Sequence, residues 1–181
     1  MTSLLFLDVD GVINPTSNYM RLKAAGKSRA PENLTFPDDI MLRLKDIINE
    51  TGAKVVISST WRTANWIDGS TWDPTYKNLV NQLAKYDITI YGCTPVRRDR
   101  VRGKEILEYL EWHKHEVEDN EFTPFIIIDD GDFDIEPFIA PAHIIKIAGN
   151  VGITDSDAEF AIYQLNKMKK LAEERNKKDG K

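Results

Sequence analysis

The chain lacks the features that mark several large protein classes. Its 181 residues contain one cysteine, Cys93, which excludes an internal disulfide and a multi-cysteine zinc site. The N-terminal apolar run from Leu4 to Leu7 ends at Asp8, and no run approaches the roughly 20 apolar residues that a bilayer span requires. Lys and Arg number 24 against 29 Asp and Glu, a net charge of -5, so the protein is not a globally basic nucleic-acid binder. We therefore expect a soluble, cytoplasmic protein that makes no membrane contact.

The overall composition is that of an ordinary globular protein. Hydrophobic residues make up 41% of the chain and charged residues 29%, which excludes a wholly disordered chain. A length of 181 residues suits one domain with a sizeable core. We predict one folded domain over residues 1–172 and a charged, disordered tail over 173–181.

Short apolar runs alternate with stretches of helical periodicity along the chain. The runs that predict strands are Leu4–Leu7, Lys54–Ile57, Ile88–Tyr91, Phe125–Ile128 and His143–Ile147. Unalternated apolar runs are typical of strands buried on both faces of a parallel sheet. Their alternation with helical stripes predicts a three-layer α/β fold, an open parallel sheet of about five strands with helices on both faces. Residues 14–36 follow neither period, which indicates a surface loop or flap.

Polar residues follow three of these runs, where each predicted strand ends. They are Asp8, Asp10, Ser58, Ser59, Asp129 and Asp130. In an open parallel sheet the ligand lies outside the carboxyl ends of the strands, so these side chains are expected to converge. Clustered carboxylates repel one another unless a cation lies among them, and a hard divalent cation bound through oxygen fits that need. Lys104, near the start of a predicted helix, adds a positive charge.

Four sequence elements carry a resemblance to a known family. Asp8-Val9-Asp10-Gly11-Val12 resembles the first motif of the haloacid dehalogenase (HAD) superfamily of aspartate-nucleophile phosphatases, and Ser58, Lys104 and Asp129-Asp130 stand where its later motifs are expected. More narrowly, the segments 7–14, 58–62, 102–106 and 128–130 together resemble the HAD domains of Swiss Army Knife RNA repair proteins. The resemblance covers roughly residues 3–168. It implies a Rossmann-like HAD fold over residues 1–172, and the stretches 14–36 and 62–101 leave no room for a large cap domain.

The resemblance implies a role for each motif residue. Asp8 is the expected nucleophile, and Asp10 is the expected general acid and base. Mg²⁺ is expected on a carboxylate oxygen of Asp8, the backbone carbonyl of Asp10 and the side chain of Asp129. Ser58 is favoured over Ser59 as the hydroxyl that binds phosphoryl oxygens. Lys104 is expected to neutralise the charge of the phosphoryl oxygens. Asp130 and Asp134 are expected to orient water and the Lys104 side chain without contacting the substrate themselves.

The substrate is less strongly indicated by the sequence. Arg62 and Arg102 are candidate phosphate ligands, with Arg62 equally interpretable as a surface arginine. The aromatic residues around and after the second motif have two interpretations, packing in the core or stacking on a base of the substrate. They are Trp61, Trp66, Trp72 and Tyr76. We predict a Mg²⁺-dependent phosphomonoesterase acting on nucleic-acid ends or nucleotides, a role in RNA repair. The alternatives are a phosphatase of small phosphorylated metabolites and a non-catalytic module that binds phosphate or nucleic acid.

Overall fold

A computed structural model describes residues 2–64, 73–116 and 123–178 of the chain. Its strands are β1 (Leu4–Leu7), β2 (Lys54–Ile57), β3 (Ile90–Cys93), β4 (Phe125–Asp129) and β5 (Ile144–Lys146). Its α-helices are α1 (Thr16–Ala24), α2 (Asp38–Thr51), α3 (Pro74–Ala84), α4 (Arg102–Glu116) and α5 (Asp155–Lys178). Short 3-10 turns lie at Pro31–Asn33, Thr60–Ala64 and Pro141–His143.

The five strands form one parallel sheet in the order β3-β2-β1-β4-β5. β1 is central, with Leu4 in register with Lys54 of β2 and with Phe125 of β4. All four residues of β1 are buried, as the unalternated run predicts. The order places the ends of β1, β2 and β4 side by side at one edge of the sheet.

Alternate strand residues belong to two separate cores, because successive side chains of a strand point to opposite faces. Leu5 and Leu7 pack in the core that includes residues of α2, α3 and α5. Leu4 and Phe6 pack in the other, with Ile106 of α4 and Ile135 from the segment after β4. The predicted three-layer α/β architecture with helices on both faces is confirmed.

Residues 14–36 differ from the predicted loop, because helix α1 occupies Thr16–Ala24. The buried residues of this helix are Asn18 and Leu22. A helix whose buried side contains one apolar residue shows no apolar stripe in the sequence, which explains why periodicity missed it. Leu34 and Phe36, later in the same stretch, are also buried, so much of it is part of the core.

Other boundaries also differ from the sequence prediction, by one residue at β4 and at each end of β5 and by more at β3 and the C-terminal tail. β3 lies at Ile90–Cys93 rather than at Ile88–Tyr91; it includes Gly92, whose missing side chain leaves room for Tyr109, since a Cβ there would lie 2.4 Å from the Tyr109 hydroxyl. The tail predicted as disordered from residue 173 continues helix α5 as far as Lys178, because Lys, Glu and Arg favour helix. No helix in the described part of the chain is long and apolar enough to cross a membrane.

Candidate active site

Three carboxylates meet at the carboxyl edge of the central strands. Asp8 follows β1 and Asp129 ends β4, directly beyond the register pair Leu7 and Ile128. Asp130 is the next residue, and one carboxylate oxygen from each of the three lies within 4.8 Å of the others. Asp8 and Asp129 are buried, whereas Asp130 is exposed. Sheet topology therefore brings Asp8 together with Asp129 and Asp130, which lie 121 and 122 positions further along the chain.

Burial makes the ionised form of Asp8 and of Asp129 unfavourable. It raises the pKa of Asp8 above its ordinary value, against the opposing effect of Arg102. It also raises the pKa of Asp129 to about 7, where Arg102 again opposes the shift and the charge on Asp8 adds to it. Two buried carboxylates thus share one site that needs more positive charge than it has.

Arg102, the first residue of α4, supplies the cation that contacts the cluster. Its Nη1 lies 2.6 Å from Asp129 Oδ2 and 3.1 Å from Asp8 Oδ1. The Arg102 backbone N–H donates to Asp134 Oδ2 at 3.0 Å, and the Gly103 N–H donates to the Asp134 carbonyl at 3.1 Å. Asp134 therefore fixes the start of α4 and the position of Arg102. Asp134 was expected to orient the Lys104 side chain instead.

Lys104 does not have the contacts predicted for it. Its Nζ pairs with Asp99 Oδ2 at 3.0 Å and lies 5.4 Å from the centre of the Phe138 ring. Arg102 and Lys104 are two positions apart on one helix, and such side chains point about 200° apart around the axis. With Arg102 at the carboxylates, Lys104 lies on another side of α4, so the cation beside Asp8 is Arg102.

The two serines after β2 have different surroundings. Ser59 lies near enough to Asp8 to lower the pKa of that carboxyl, although burial outweighs the effect. Ser58 is completely buried, and its Oγ has no hydrogen-bond partner among the described residues. Ser59 is thus the serine near Asp8, and Ser58 is the one whose hydroxyl is not engaged within the described residues. The expectation that Ser58 rather than Ser59 binds phosphoryl oxygens stays a prediction.

Arg62 is a structural residue rather than a substrate ligand. It is buried and forms an ion pair with Glu105 of α4. Its Nε donates to the Thr94 carbonyl at 3.0 Å, and its Nη1 donates to the Ser59 carbonyl at 2.5 Å. These bonds connect the turn after β2 with the ends of β3 and α4, so the candidate role of Arg62 in binding phosphate is corrected.

Asp130 lies closer to the site than expected, because two glycines make room for it. Gly11, with φ +81°, follows the Asp8-Val9-Asp10 segment, and a Cβ there would lie 2.1 Å from Asp130 Oδ2. A Cβ at Gly149 would lie 2.4 Å from the same oxygen. The exposed Asp130 carboxylate thus packs against the backbone at Gly11 and Gly149 and belongs to the acidic triplet. Its expected role in orienting water and Lys104 stays a prediction.

Asp10 is not a member of the triplet, and its side chain accepts hydrogen bonds from three side chains. The expected contact of its backbone carbonyl with Mg²⁺ stays a prediction. Asn14 Nδ2 lies 2.8 Å and the Tyr19 hydroxyl 3.1 Å from Asp10 Oδ1. Trp61 Nε1 lies 2.8 Å from Asp10 Oδ2. Sequence reasoning did not assign these three residues to the site, although Asn14 and Trp61 lie inside the motif segments. Trp61 and Tyr76 are buried, whereas Trp66 and Trp72 lie outside the described residues.

The donor set suits a hard divalent cation such as Mg²⁺. All the side chains of the triplet offer carboxylate oxygens, which Mg²⁺ prefers over nitrogen or sulfur. The raised pKa of Asp129 indicates that Arg102 alone does not compensate the buried charge. Asp8, Asp129 and Asp130 would hold the ion.

The arrangement matches one family over most of the chain. Residues 4–158 match the model of the HAD domain in Swiss Army Knife RNA repair proteins. Comparisons with curated proteins and with solved structures gave no significant match. The matched residues include every strand of the sheet and all three members of the acidic triplet. The chain is therefore a member of the family of HAD domains found in Swiss Army Knife RNA repair proteins.

Proposed function

We propose that the protein is a Mg²⁺-dependent phosphomonoesterase that works through an aspartyl phosphate. The observation that carries the proposal is the Asp8, Asp129 and Asp130 triplet with Arg102 against two of its members. Membership of the HAD superfamily supports a hydrolase of the phosphatase type. When bound, Mg²⁺ would reduce the negative charge that otherwise repels an anionic phosphate from these carboxylates.

The residues supply a two-step reaction. An Asp8 carboxylate oxygen attacks phosphorus and forms the Asp8–phosphate bond, while the bond from phosphorus to the substrate oxygen breaks. Asp10 gives its proton to that leaving oxygen. Asp10 then takes a proton from a water molecule that attacks phosphorus, which releases inorganic phosphate and restores the Asp8 carboxylate. Arg102, which contacts Asp8, and Ser58 or Ser59 would bind the equatorial phosphoryl oxygens.

Nucleic-acid ends or nucleotides are the proposed substrates. The family occurs in RNA repair proteins. Phe133, four residues after Asp129, is 83% exposed, an unusual state for a phenylalanine. A Cβ added at Gly131 would lie 3.7 Å from Asp129 Oδ1 and 3.9 Å from Cε1 of the Phe133 ring. The ring and the carboxylate thus both lie beside Gly131. An exposed ring so close to the carboxylates offers a surface on which a base can stack.

One observation favours the alternative of a small phosphorylated metabolite. Three arginines, Arg97, Arg98 and Arg100, lie just before α4. Arg97 pairs with Asp99 at 3.1 Å and with Glu108 at 2.8 Å. Lys104 also pairs with Asp99. Part of the positive charge that could follow a polyanion is thus neutralised within the protein, which weakens the case for a long nucleic acid.

Turnover measured across substrate classes tests the proposal. Purified protein is treated with EDTA, resupplied with Mg²⁺ or Ca²⁺, and assayed on p-nitrophenyl phosphate, nucleotides, end-phosphorylated oligonucleotides and sugar phosphates. We expect Mg²⁺-dependent turnover with preference for base-bearing substrates, and inhibition by excess Ca²⁺, whose longer ligand distances disturb in-line attack. Preference for sugar phosphates would favour the metabolite alternative. Oligonucleotide or phosphate binding without any turnover would indicate the non-catalytic module, and full activity in EDTA would refute the metal assignment.

A further inference from the structure

The carboxylate of Asp10 is fixed from two sides of the site. Tyr19 on α1 and Asn14 just before it donate to Oδ1, at 3.1 and 2.8 Å. Trp61, in the turn after β2, donates to Oδ2 at 2.8 Å. Because both oxygens have donors that come from different elements, rotation of the carboxylate would break at least one hydrogen bond.

The orientation of Asn14 is itself determined by a second asparagine. Asn14 is completely buried, and its Oδ1 accepts from Asn18 Nδ2 at 2.9 Å. The Asn18 amide nitrogen also donates to the Thr35 carbonyl at 2.9 Å, and its Oδ1 accepts from Arg21 Nη2 at 2.7 Å. With its oxygen engaged by Asn18, Asn14 has its amide nitrogen available for Asp10.

The three groups that contact Asp10 are donors that keep their protons. Amide and indole N–H groups do not ionise in the working range of an enzyme. Burial raises the pKa of Tyr19 to about 12. These groups therefore orient the carboxylate without exchanging protons with a substrate.

We propose that Asn14, Tyr19 and Trp61 are positioning residues that aim Asp10 at the leaving oxygen of the substrate. The inference rests on the proposed function, in which Asp10 protonates that oxygen. The proposal assigns helix α1 a part in the reaction, although the sequence predicts that stretch as a loop. It also assigns Trp61 a polar role besides its packing against Phe36, whose ring centre is 5.9 Å away.

The quality of the leaving group separates positioning from general stability. An alkoxide leaving group needs a proton in the transition state, whereas p-nitrophenolate leaves readily without one. Loss of the correct orientation of the Asp10 carboxylate should therefore impair hydrolysis of an alkyl phosphate much more than hydrolysis of p-nitrophenyl phosphate. The parameter kcat/KM is compared, because it excludes the later hydrolysis of the aspartyl phosphate.

The test uses variants that remove one hydrogen-bond donor and retain an aromatic ring at the same position. Tyr19→Phe removes the hydroxyl, and Trp61→Phe removes the indole N–H while retaining an aromatic side chain. Tyr86→Phe is the matched control, since the Tyr86 hydroxyl donates to Asp38 at an exposed position. General-acid catalysis contributes about 10²- to 10⁴-fold, so we expect each donor variant to lower kcat/KM for glycerol phosphate roughly tenfold. We expect a smaller loss with p-nitrophenyl phosphate and no change in either value for Tyr86→Phe.

A structural readout accompanies the kinetics. The Trp61 indole N–H signal in a proton–nitrogen NMR spectrum is assigned by its loss in Trp61→Phe, and we expect Asp10→Asn to shift it. An unshifted signal would overturn the contact itself. Equal losses on both substrates, in active and folded variants, would overturn the positioning role alone. If the wild-type protein turned over neither substrate, the proposed function would fail, and the positioning role would fail with it.

Discussion

Arg102 Nη1 lies 2.6 Å from Asp129 Oδ2, so one side chain at the start of α4 compensates a carboxylate at the end of β4. Both groups are largely withdrawn from solvent, with side-chain exposures of 18% and 4%. Removing one member of such a buried pair leaves an uncompensated charge, which is typically strongly destabilising. The pair therefore connects the stability of the site with its chemistry.

Substitution of the two basic residues of α4 should distinguish their roles. We expect Arg102→Gln to lower kcat/KM by roughly 10²- to 10³-fold, a loss comparable to removal of one preorganised donor from an oxyanion site. Lys104→Gln should lower it less than about threefold, because an exposed pair with Asp99 contributes little. Steady-state kinetics on one substrate checks both variants. A larger loss for Lys104→Gln would restore Lys104 to the phosphate site.

Asp8→Asn should abolish turnover and leave the fold intact. The amide keeps the shape of the side chain and loses the nucleophile, and removal of a central catalytic group commonly costs on the order of 10⁴-fold or more. In EDTA the variant should be more stable than the wild-type protein, because a buried anion with a raised pKa has been removed. Kinetics and thermal unfolding are measured together. A loss of only about tenfold would remove Asp8 from the nucleophilic role.

The metal-free protein should lose part of its stability as the pH rises from about 4 to about 7. The Asp129 carboxyl has a pKa of about 7 in the folded protein and about 3.9 when unfolded. The folded state therefore binds more protons in this interval, and the free energy of unfolding falls with pH. Asp129→Asn should remove this contribution. Chemical denaturation in EDTA across the interval tests it, and parallel pH profiles for the two proteins would contradict it.

Gly149→Ala should weaken divalent-ion binding by displacing the Asp130 carboxylate. The added Cβ would lie 2.4 Å from Asp130 Oδ2, too close for both to stay in place, and the carboxylate is the group that can move. Gly131→Ala is the control, because its Cβ would make contacts no closer than 3.7 Å. Calorimetric titration with Mg²⁺ measures the affinities. Unchanged affinity in Gly149→Ala would exclude Asp130 from the metal site.

Phe133→Ala should selectively weaken the use of substrates that carry a base. Stacking of a base on an aromatic side chain contributes about 1–3 kcal/mol, which corresponds to roughly 5- to 150-fold in kcat/KM. The comparison is between a nucleoside 5′-monophosphate and ribose 5-phosphate, which differ by the base alone. Phe160→Ala, at a half-exposed position on α5, serves as the control. Equal effects on the two substrates would favour the small-metabolite alternative.

Local sequence pattern was sufficient for the sheet and insufficient for several side chains of the site. The run Leu4–Leu7 has no alternation because both faces of β1 are covered, and that signal is visible in sequence. The choice between Arg102 and Lys104 depends on where α4 begins, which the Asp134 contacts from another element determine. The choice between Ser58 and Ser59 likewise depends on how the chain turns after β2. Contacts from distant elements determine which of these side chains faces the site, and the hydrophobic periodicity of the local sequence contains no information on those contacts.

The pairing of β1 with β4 also has a consequence for how the protein folds. Leu4 pairs with Phe125, so the central contact of the sheet joins residues 121 positions apart. Contacts between such distant residues form late, since a long loop must close first. During synthesis, Asp8 emerges from the ribosome long before Asp129 and Asp130, and the acidic triplet cannot assemble until β4 has been made. A nascent chain that stops before residue 125 would therefore carry Asp8, the proposed nucleophile, without the other two carboxylates of the triplet.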